Sequence, residues 1–318
     1  MNRYIAYNGD ADGLCALQQL RLAEPGPVTL VTGVKRDIKL LERVAAGAGD
    51  QVTALDISLD SNREALQRLL DAGAGVRYFD HHHAGEIPSA GRLAAHIDTA
   101  ATVCTSILVD RYLQGRFRPW AIAAAFGDNL PAVAAAMGQA AELDARRLAT
   151  LEELGICLNY NAYGDSIADL HFDPAALAEE MLPYIDPLEF ARASPAFARL
   201  AAGYAEDMDR ARRLPPLRET ATSYVLLLPD QAWARRAIGV LANELAQRLG
   251  SKALAILSPN AKGGYTVSVR VPAGSATGAD DFCRGFETGG GRKTAAGINL
   301  LPKGDVDGFC ARFEAAYC

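Results

Sequence analysis

"YIAYNGDADGLCAL", residues 4–17, joins a short apolar run to a helical pattern through a turn that carries two carboxylates, Asp10 and Asp12. An apolar run that enters a glycine-marked turn and leaves it as a helix is the opening of an α/β unit. Asp10 and Asp12 stand two residues apart. Side by side they repel, and one of them is hard to ionise unless something positive lies between them. A bound cation is the simplest answer.

The same pattern recurs along the first 80 residues. Apolar runs at Arg3 to Asn8, Val28 to Thr32, Gln51 to Asp56 and Val76 to Asp80 read as strands, with helical stretches after Gly13, Asp37 and Ser61. That alternation predicts a parallel sheet wrapped by helices. Three of the four strands end on acid: the first at Asp10 and Asp12, the third at Asp56, the fourth at Asp80, which His81, His82 and His83 follow. The carboxyl ends of parallel strands share one edge, where such folds place their sites, so these acids converge there.

A fifth acid, Asp128 in "AAAFGDNLP", ends an apolar helical run. Alone it reads as a turn former, and Asp56 alone reads as the cap of the next helix. Beside the other acids both read as members of one cluster. Of the three consecutive histidines, one reads as a ligand or phosphate contact and at least one as surface. Carboxylates with one or two imidazoles suit manganese or magnesium better than zinc. There are enough carboxylates for two ions with one bridging, the arrangement that clamps a phosphoryl group in transfer.

The 318-residue length is enough for two domains, and a chain that is half hydrophobic and 22% charged is an ordinary globular protein. A net charge of -6 argues against a broad basic surface, so long nucleic acid is not an expected partner. A small anion in a local basic pocket remains compatible with it. The six cysteines form no C-x-x-C pair, and no leader or membrane-length apolar span is seen, so the expected location is cytoplasmic.

From Thr102 to about Gly155 the chain reads as several helices, followed by a Pro-punctuated helical section. The charged "EDMDRARRLPP", residues 206–216, reads as a linking helix stopped by its prolines. A second α/β pattern then starts: "SYVLLLP" as a strand, residues 233–249 as a helix capped by Gly250, and "ALAILS" and "YTVSVRV" as further strands. In the last, Tyr265, Val267, Val269 and Val271 face one side, and Thr266, Ser268 and Arg270 the other. The expected fold class is therefore α/β. It comprises an N-terminal parallel-sheet domain with a helical extension (1–195), a linking helix (196–218) and a smaller C-terminal α/β domain (219–318).

With these residues in place, the chain resembles the DHH phosphoesterase superfamily over nearly its whole length. The family's Asp-x-Asp motif, preceded by a His two positions earlier, corresponds to Asn8-Gly9-Asp10-Ala11-Asp12. Its lone Asp is Asp56, its signature tripeptide is Asp80-His81-His82, and its Asp after an apolar helix is Asp128. The C-terminal part resembles the DHH-associated domain of type 1, with Ser268-Val269-Arg270 and the loop "GGGRKTAAG", residues 289–297.

The resemblance implies Asp10 and Asp56 on one metal, and Asp12, Asp56, His81 and Asp128 on the other, with Asp56 bridging. The ions implied are two Mn2+, with Mg2+ as the alternative. Asp80 would orient a neighbouring imidazole, and His82, or His83, would face the scissile phosphate. Ser268, Arg270, Gly289, Gly290, Gly291 and Arg292 would grip a phosphate. Two positions depart from the pattern. Asn8 replaces a metal-binding His by, at most, a carbonyl oxygen, and Arg292 replaces the loop His by a permanent charge that cannot shuttle a proton.

The implied function is hydrolysis of phosphoester bonds in a small phosphorylated nucleotide or short oligonucleotide. The alternatives are a RecJ-like single-strand exonuclease and a catalytically impaired nucleotide- or phosphate-binding protein; a homodimer is left open. The polar stretch "NYNAYGDSIADLHF", residues 159–172, reads first as an ordered loop, with Tyr160 or Tyr163 as the alternative base-stacking group.

Overall fold

The computed structural model describes residues 1–318, which divide into two compact units: Met1–Ala162 with Ser166–Ala202, and Tyr163–Asp165 with Gly203–Cys318. In the first unit the strand and helix succession is β1 (Arg3–Tyr7), α1 (Ala11–Ala23), β2 (Thr29–Val31), β3 (Gln51–Leu55), α2 (Arg63–Asp71), β4 (Gly75–Asp80) and β5 (Leu93–Ile97). Helices α3 (Thr105–Tyr112), α4 (Arg118–Gly127), α5 (Pro131–Ala140), α6 (Ala145–Tyr160), α7 (Pro174–Met181) and α8 (Pro187–Ala193) follow, and α9 (Pro195–Arg212) runs on past the end of the unit.

The five strands lie in the order β2-β1-β3-β4-β5, and every pairing is parallel. From β1 the chain goes to β2 on one side and then to β3 on the other, which makes the β1/β3 boundary the topological switch point. One sheet face packs Ala6, Val52, Ala54, Val76 and Tyr78 against Leu40, Leu41, Leu66 and Leu69. On the opposite face Tyr7 and Leu55 are fully buried. Burial on both faces is what a parallel sheet requires.

Three sequence expectations change. The helix begins at Ala11, not after Gly13, because Asp10 caps it. The stretch after Asp37 is a single 3-10 turn, Leu40–Arg43, since "AAGAG" follows directly and supplies no further apolar face. Strand β5 went unrecognised: "LAAHI" is Ala-rich and weak in intrinsic strand preference, and it pairs because β4 offers an open edge.

The second unit carries β6 (Arg218–Glu219), β7 (Ser223–Leu227), α10 (Ala232–Leu249), β8 (Ala253–Pro259), β9 (Gly264–Arg270), α11 (Ala279–Arg284), β10 (Gly289–Gly291), β11 (Ala295–Pro302) and α12 (Val306–Ala316). Its sheet has the order β10-β11-β9-β8-β7-β6, mixed in direction. Val267, Val269 and Val271 enter a core with Phe282, Phe309 and Phe313, as the alternation in "YTVSVRV" predicts. The glycine triplet is an edge strand and not a loop. Gly289, Gly290 and Gly291 pair with Ile298, Gly297 and Ala296, and a Cβ at Gly289 would lie 1.7 Å from the Cys283 carbonyl oxygen. No helix is long and apolar enough to cross a membrane.

Candidate active site

Asp10 is the N-cap of α1: its Oδ1 accepts from the backbone N–H of Asp12 and of Gly13, each at 3.1 Å. Gly13 is obligatory at this turn, because a Cβ there would lie 2.0 Å from the Asn8 carbonyl oxygen. Asp10 Oδ2 pairs with the Lys35 ammonium. Burial opposes ionisation of Asp10, but Lys35 and the Gly13 N–H outweigh it and bring the carboxyl down to about 2.

Asp12 sits in the first turn of the same helix and is held from across the unit. The first two N–H groups of α3, those of Thr105 and Ser106, donate to its two oxygens at 2.7 Å each. A helix N-terminus aimed at a carboxylate stabilises its charge. Asp56 ends β3 with φ of 58°, the left-handed region that aspartate tolerates at a cost of roughly 1 kcal/mol or more. Its N–H is tied to the Phe79 carbonyl, and its Oδ1 accepts from Thr105 Oγ1 at 3.2 Å. Burial first, then the charges of Asp10, Asp12, Asp128 and Asp80, push its carboxyl well up.

Asp128 reaches the cluster through helix packing. Gly127 and Gly155 let α4 press against α1 and α6: a Cβ on Gly127 would be 2.4 Å from Ala11 Cβ, and one on Gly155 would be 2.0 Å from the Ala123 oxygen. Burial and the Asp12 charge raise the Asp128 carboxyl to about 6, against the lowering pull of His81 and Lys35.

His81 stands among these acids. A carbonyl only accepts, so the 2.8 Å contact to Val103 O places the ring proton on Nδ1. Nε2 then faces Asp56 Oδ1 at 3.4 Å, Asp128 Oδ2 at 3.8 Å and Asp12 Oδ2 at 3.9 Å. Asp128 Oδ2 is buried without a hydrogen-bond partner, as are Asp80 Oδ2 and Asn8 Oδ1. A lone pair and three carboxylates converging with an orphaned oxygen among them fit a divalent cation. Two donor sets lie close enough to share one: Asp12 with His81 and Asp128, and Asp56 with His81 and His82.

His82 Nδ1 donates to Asp80 Oδ1 at 2.7 Å, and its side chain stays 39% exposed. His83 is exposed and outside the cluster, its carbonyl accepting from Ser58. Of the residues singled out in the sequence, Asp10, Asp12, Asp56, Asp80, His81, His82 and Asp128 thus lie at one edge, while the Asn8 side-chain amide donates to the Lys35 carbonyl at 3.4 Å. Sequence reasoning missed Lys35, Thr105 and Asn159, whose Oδ1 accepts from Lys35 Nζ at 3.1 Å. Tyr160 is fully buried and bonded to His171, a packing role.

A cavity of about 640 Å³ opens at the opposite, amino-terminal edge of the same sheet. Two of its arginines are already engaged: Arg77 grips Glu24 through two bonds of 2.8 and 2.9 Å, and Arg3 contacts the same carboxylate. The acid cluster lies elsewhere.

In the second unit Arg270 is half-buried and pairs with no carboxylate. Its Nε donates to Asn243 at 3.0 Å and its Nη1 to Ser268 Oγ and the Val269 carbonyl. Burial lowers its pKa. Ser268 lies in register with Gly297 and Gly290, so bare backbone flanks it on that face. Arg292 is exposed in the hairpin turn.

No family model and no curated protein matches the chain. Solved structures do. RecJ from Thermus thermophilus in complex with Mn2+ superposes with a TM-score of 0.59 at 19% identity, over 99% of this chain and 51% of that one. The pGpG-specific phosphodiesterase PggH from Vibrio cholerae gives 0.58 at 14% identity, over 99% of both chains. The fold is that of the DHH phosphoesterases. An exonuclease RecJ bound to manganese gives 0.55 at 18% identity, over 99% of this chain and 89% of that one. The chain spans about half the length of the Thermus RecJ. Within this DHH fold the acids and His81 lie where the parallel strands end, at the β1/β3 switch point.

Proposed function

We propose that the chain is a metal-dependent phosphoesterase that hydrolyses phosphoester bonds of small nucleotide substrates: short oligonucleotides, dinucleotides or nucleotide bisphosphates. The observation that carries this reading is His81, with Nδ1 fixed by the Val103 carbonyl and Nε2 surrounded by Asp12, Asp56 and Asp128. Those four residues would hold Mn2+ or Mg2+, which supplies Lewis acidity and charge neutralisation for phosphoryl transfer.

The chain's own residues do the positioning. The N-terminus of α3 and Thr105 fix Asp12 and Asp56 in place. Asp80 accepts the His82 Nδ1 proton and orients a partly exposed ring, which in its doubly protonated form would donate Nε2–H to a phosphate oxygen. In the second unit Arg270, with Ser268 beside a side-chain-free strip of backbone, suits a phosphate group. Gly289, Gly290, Gly291 and Arg292 would complete that face.

The likeness to a dinucleotide phosphodiesterase over the full length of both chains supports short substrates. The likeness to RecJ supports a RecJ-like exonuclease as the runner-up, but the net charge of -6 weighs against tracking long strands. Asn8 and the Lys35–Asp10 pair favour a second reading, a nucleotide-binding protein with impaired chemistry. We place the protein in the cytoplasm, where six unpaired cysteines persist.

The test is release of phosphate or mononucleotide with Mn2+ from bis(p-nitrophenyl) phosphate, a bisphosphorylated adenosine, a linear dinucleotide and a longer oligonucleotide. Turnover that Asp56→Ala abolishes supports the phosphoesterase. Equal inertness of wild type and variant on the whole panel leaves the binding reading in its place.

A further inference from the structure

We propose that Lys35 is a built-in cation of this centre, standing at Asp10 where a second divalent ion would otherwise bind, so that the chain loads a single ion at the His81 end. The inference rests on the reading of the cluster as a metal centre, and it replaces the two-ion expectation with one.

Asp10 has little left to offer a metal. Its Oδ1 accepts from two backbone N–H groups, and its Oδ2 pairs with the Lys35 ammonium. The ammonium is anchored a second time, on Asn159 Oδ1 at 3.1 Å. The Lys35 backbone is tied at both of its polar groups: its N–H donates to the Ala162 carbonyl at 2.9 Å, and its carbonyl accepts from the Asn8 side chain. Two separate segments thus hold this lysine at the exit of β2: the turn after β1 and the end of α6.

Neither three-residue donor set includes Asp10. A second ion at this end would have to displace a doubly bonded ammonium. With the ammonium gone it would find the Asp10 and Asp56 carboxylates and, beyond them, only the neutral amide oxygens of Asn159 and Asn8. Divalent manganese and magnesium are held by several charged oxygens or imidazoles, and neutral amides are a poor substitute for the imidazole that Asn8 replaces. Asn8 and Lys35 therefore act together. The first removes a strong donor and the second supplies the missing positive charge in a form that chelators cannot remove.

The experiment is equilibrium dialysis of the chelator-stripped full chain against Mn2+, with bound metal measured by atomic emission and its environment by electron paramagnetic resonance. The expected result is one Mn2+ per chain at saturation, with the hyperfine pattern of an isolated ion. Asp10→Asn should shift the Mn2+ dissociation constant by no more than about threefold, whereas Asp128→Asn, a direct ligand in this reading, should raise it by about tenfold or more. Asn8→His combined with Lys35→Met should take up a second ion and broaden the signal by spin coupling. Two ions per wild-type chain would overturn the inference and leave the phosphoesterase reading intact. No bound ion would overturn both, and the wild-type measurement decides this whether or not the double variant folds.

Discussion

At the scale of single residues, the sharpest consequence of the site belongs to Asp128. Its ordinary value is 3.8, and in the folded, ion-free chain it is held at about 6. The folded state thus binds this proton more tightly than the unfolded state. Stability of the chelated protein should fall as pH rises from ~4 to ~6, by roughly 3 kcal/mol, and stay at the lower level above that. Asp10 has the opposite sign: its contribution is present above its ordinary value and is lost only as pH falls toward about 2, outside this window. Thermal melts in chelator between pH 4 and 7 check the slope. Asp128→Asn should reduce it, with the remainder belonging to Asp56, whose carboxyl is also pushed up by burial, and saturating Mn2+ should raise the melting temperature most at the upper end, because the ion needs the ionised carboxylate. An unchanged slope in Asp128→Asn would assign the titration elsewhere. The acids were legible because three strands end on them. Lys35 had a signal too: the strand that does not end on acid, Val28 to Thr32, leads into "GVKRD". Thr105 and the Val103 carbonyl had none, since they meet the cluster only through tertiary packing.

Among elements, the strands with β-branched or aromatic residues could be read directly, and β5 could not. The edge strand Gly289–Gly291 was hidden for a related reason: glycine marks a loop locally, while here it pairs because β11 presents partners in register. The helices around the site depend on small residues whose purpose the sequence does not announce. Gly155 in α6 is the clearest, with no room for a Cβ beside the Ala123 carbonyl. Gly155→Ala should force α4 away from α6 and carry Asp128 with it. We expect a loss of about 1–3 kcal/mol in a denaturant titration, the usual range for overpacking. Mn2+ affinity should fall in parallel by roughly tenfold, because a ligand displaced with its helix no longer meets His81. A variant that loses stability yet keeps wild-type Mn2+ affinity would show that Asp128 is not placed by this contact.

For the whole molecule, the division into units has one feature that no local pattern marks. Tyr163–Asp165 groups with the second unit: the Tyr163 ring lies where a Cβ on Gly239 would be 2.0 Å away, and Asp165 accepts from the Ala261 N–H at 2.7 Å. Charge, by contrast, reads straight from composition. Acids exceed bases by six, and many arginines are tied to carboxylates, as in Arg21–Glu179, Arg77–Glu24, Arg212–Glu244 and Arg236–Asp207. Arg270 is an exception, and in the proposed reading it would meet one phosphate. A protein that tracks a long strand neutralises many phosphates, and its affinity falls steeply with salt. One that grips one or two phosphates should show a slope of log affinity against log salt of only about -1. We therefore expect kcat/KM for a linear dinucleotide to exceed that for a long single strand by roughly tenfold or more, and KM for the dinucleotide to change little between low and moderate salt. A steep salt dependence with a preference for the long strand would instead mean that the acidic surface conceals a basic track, and would favour the exonuclease.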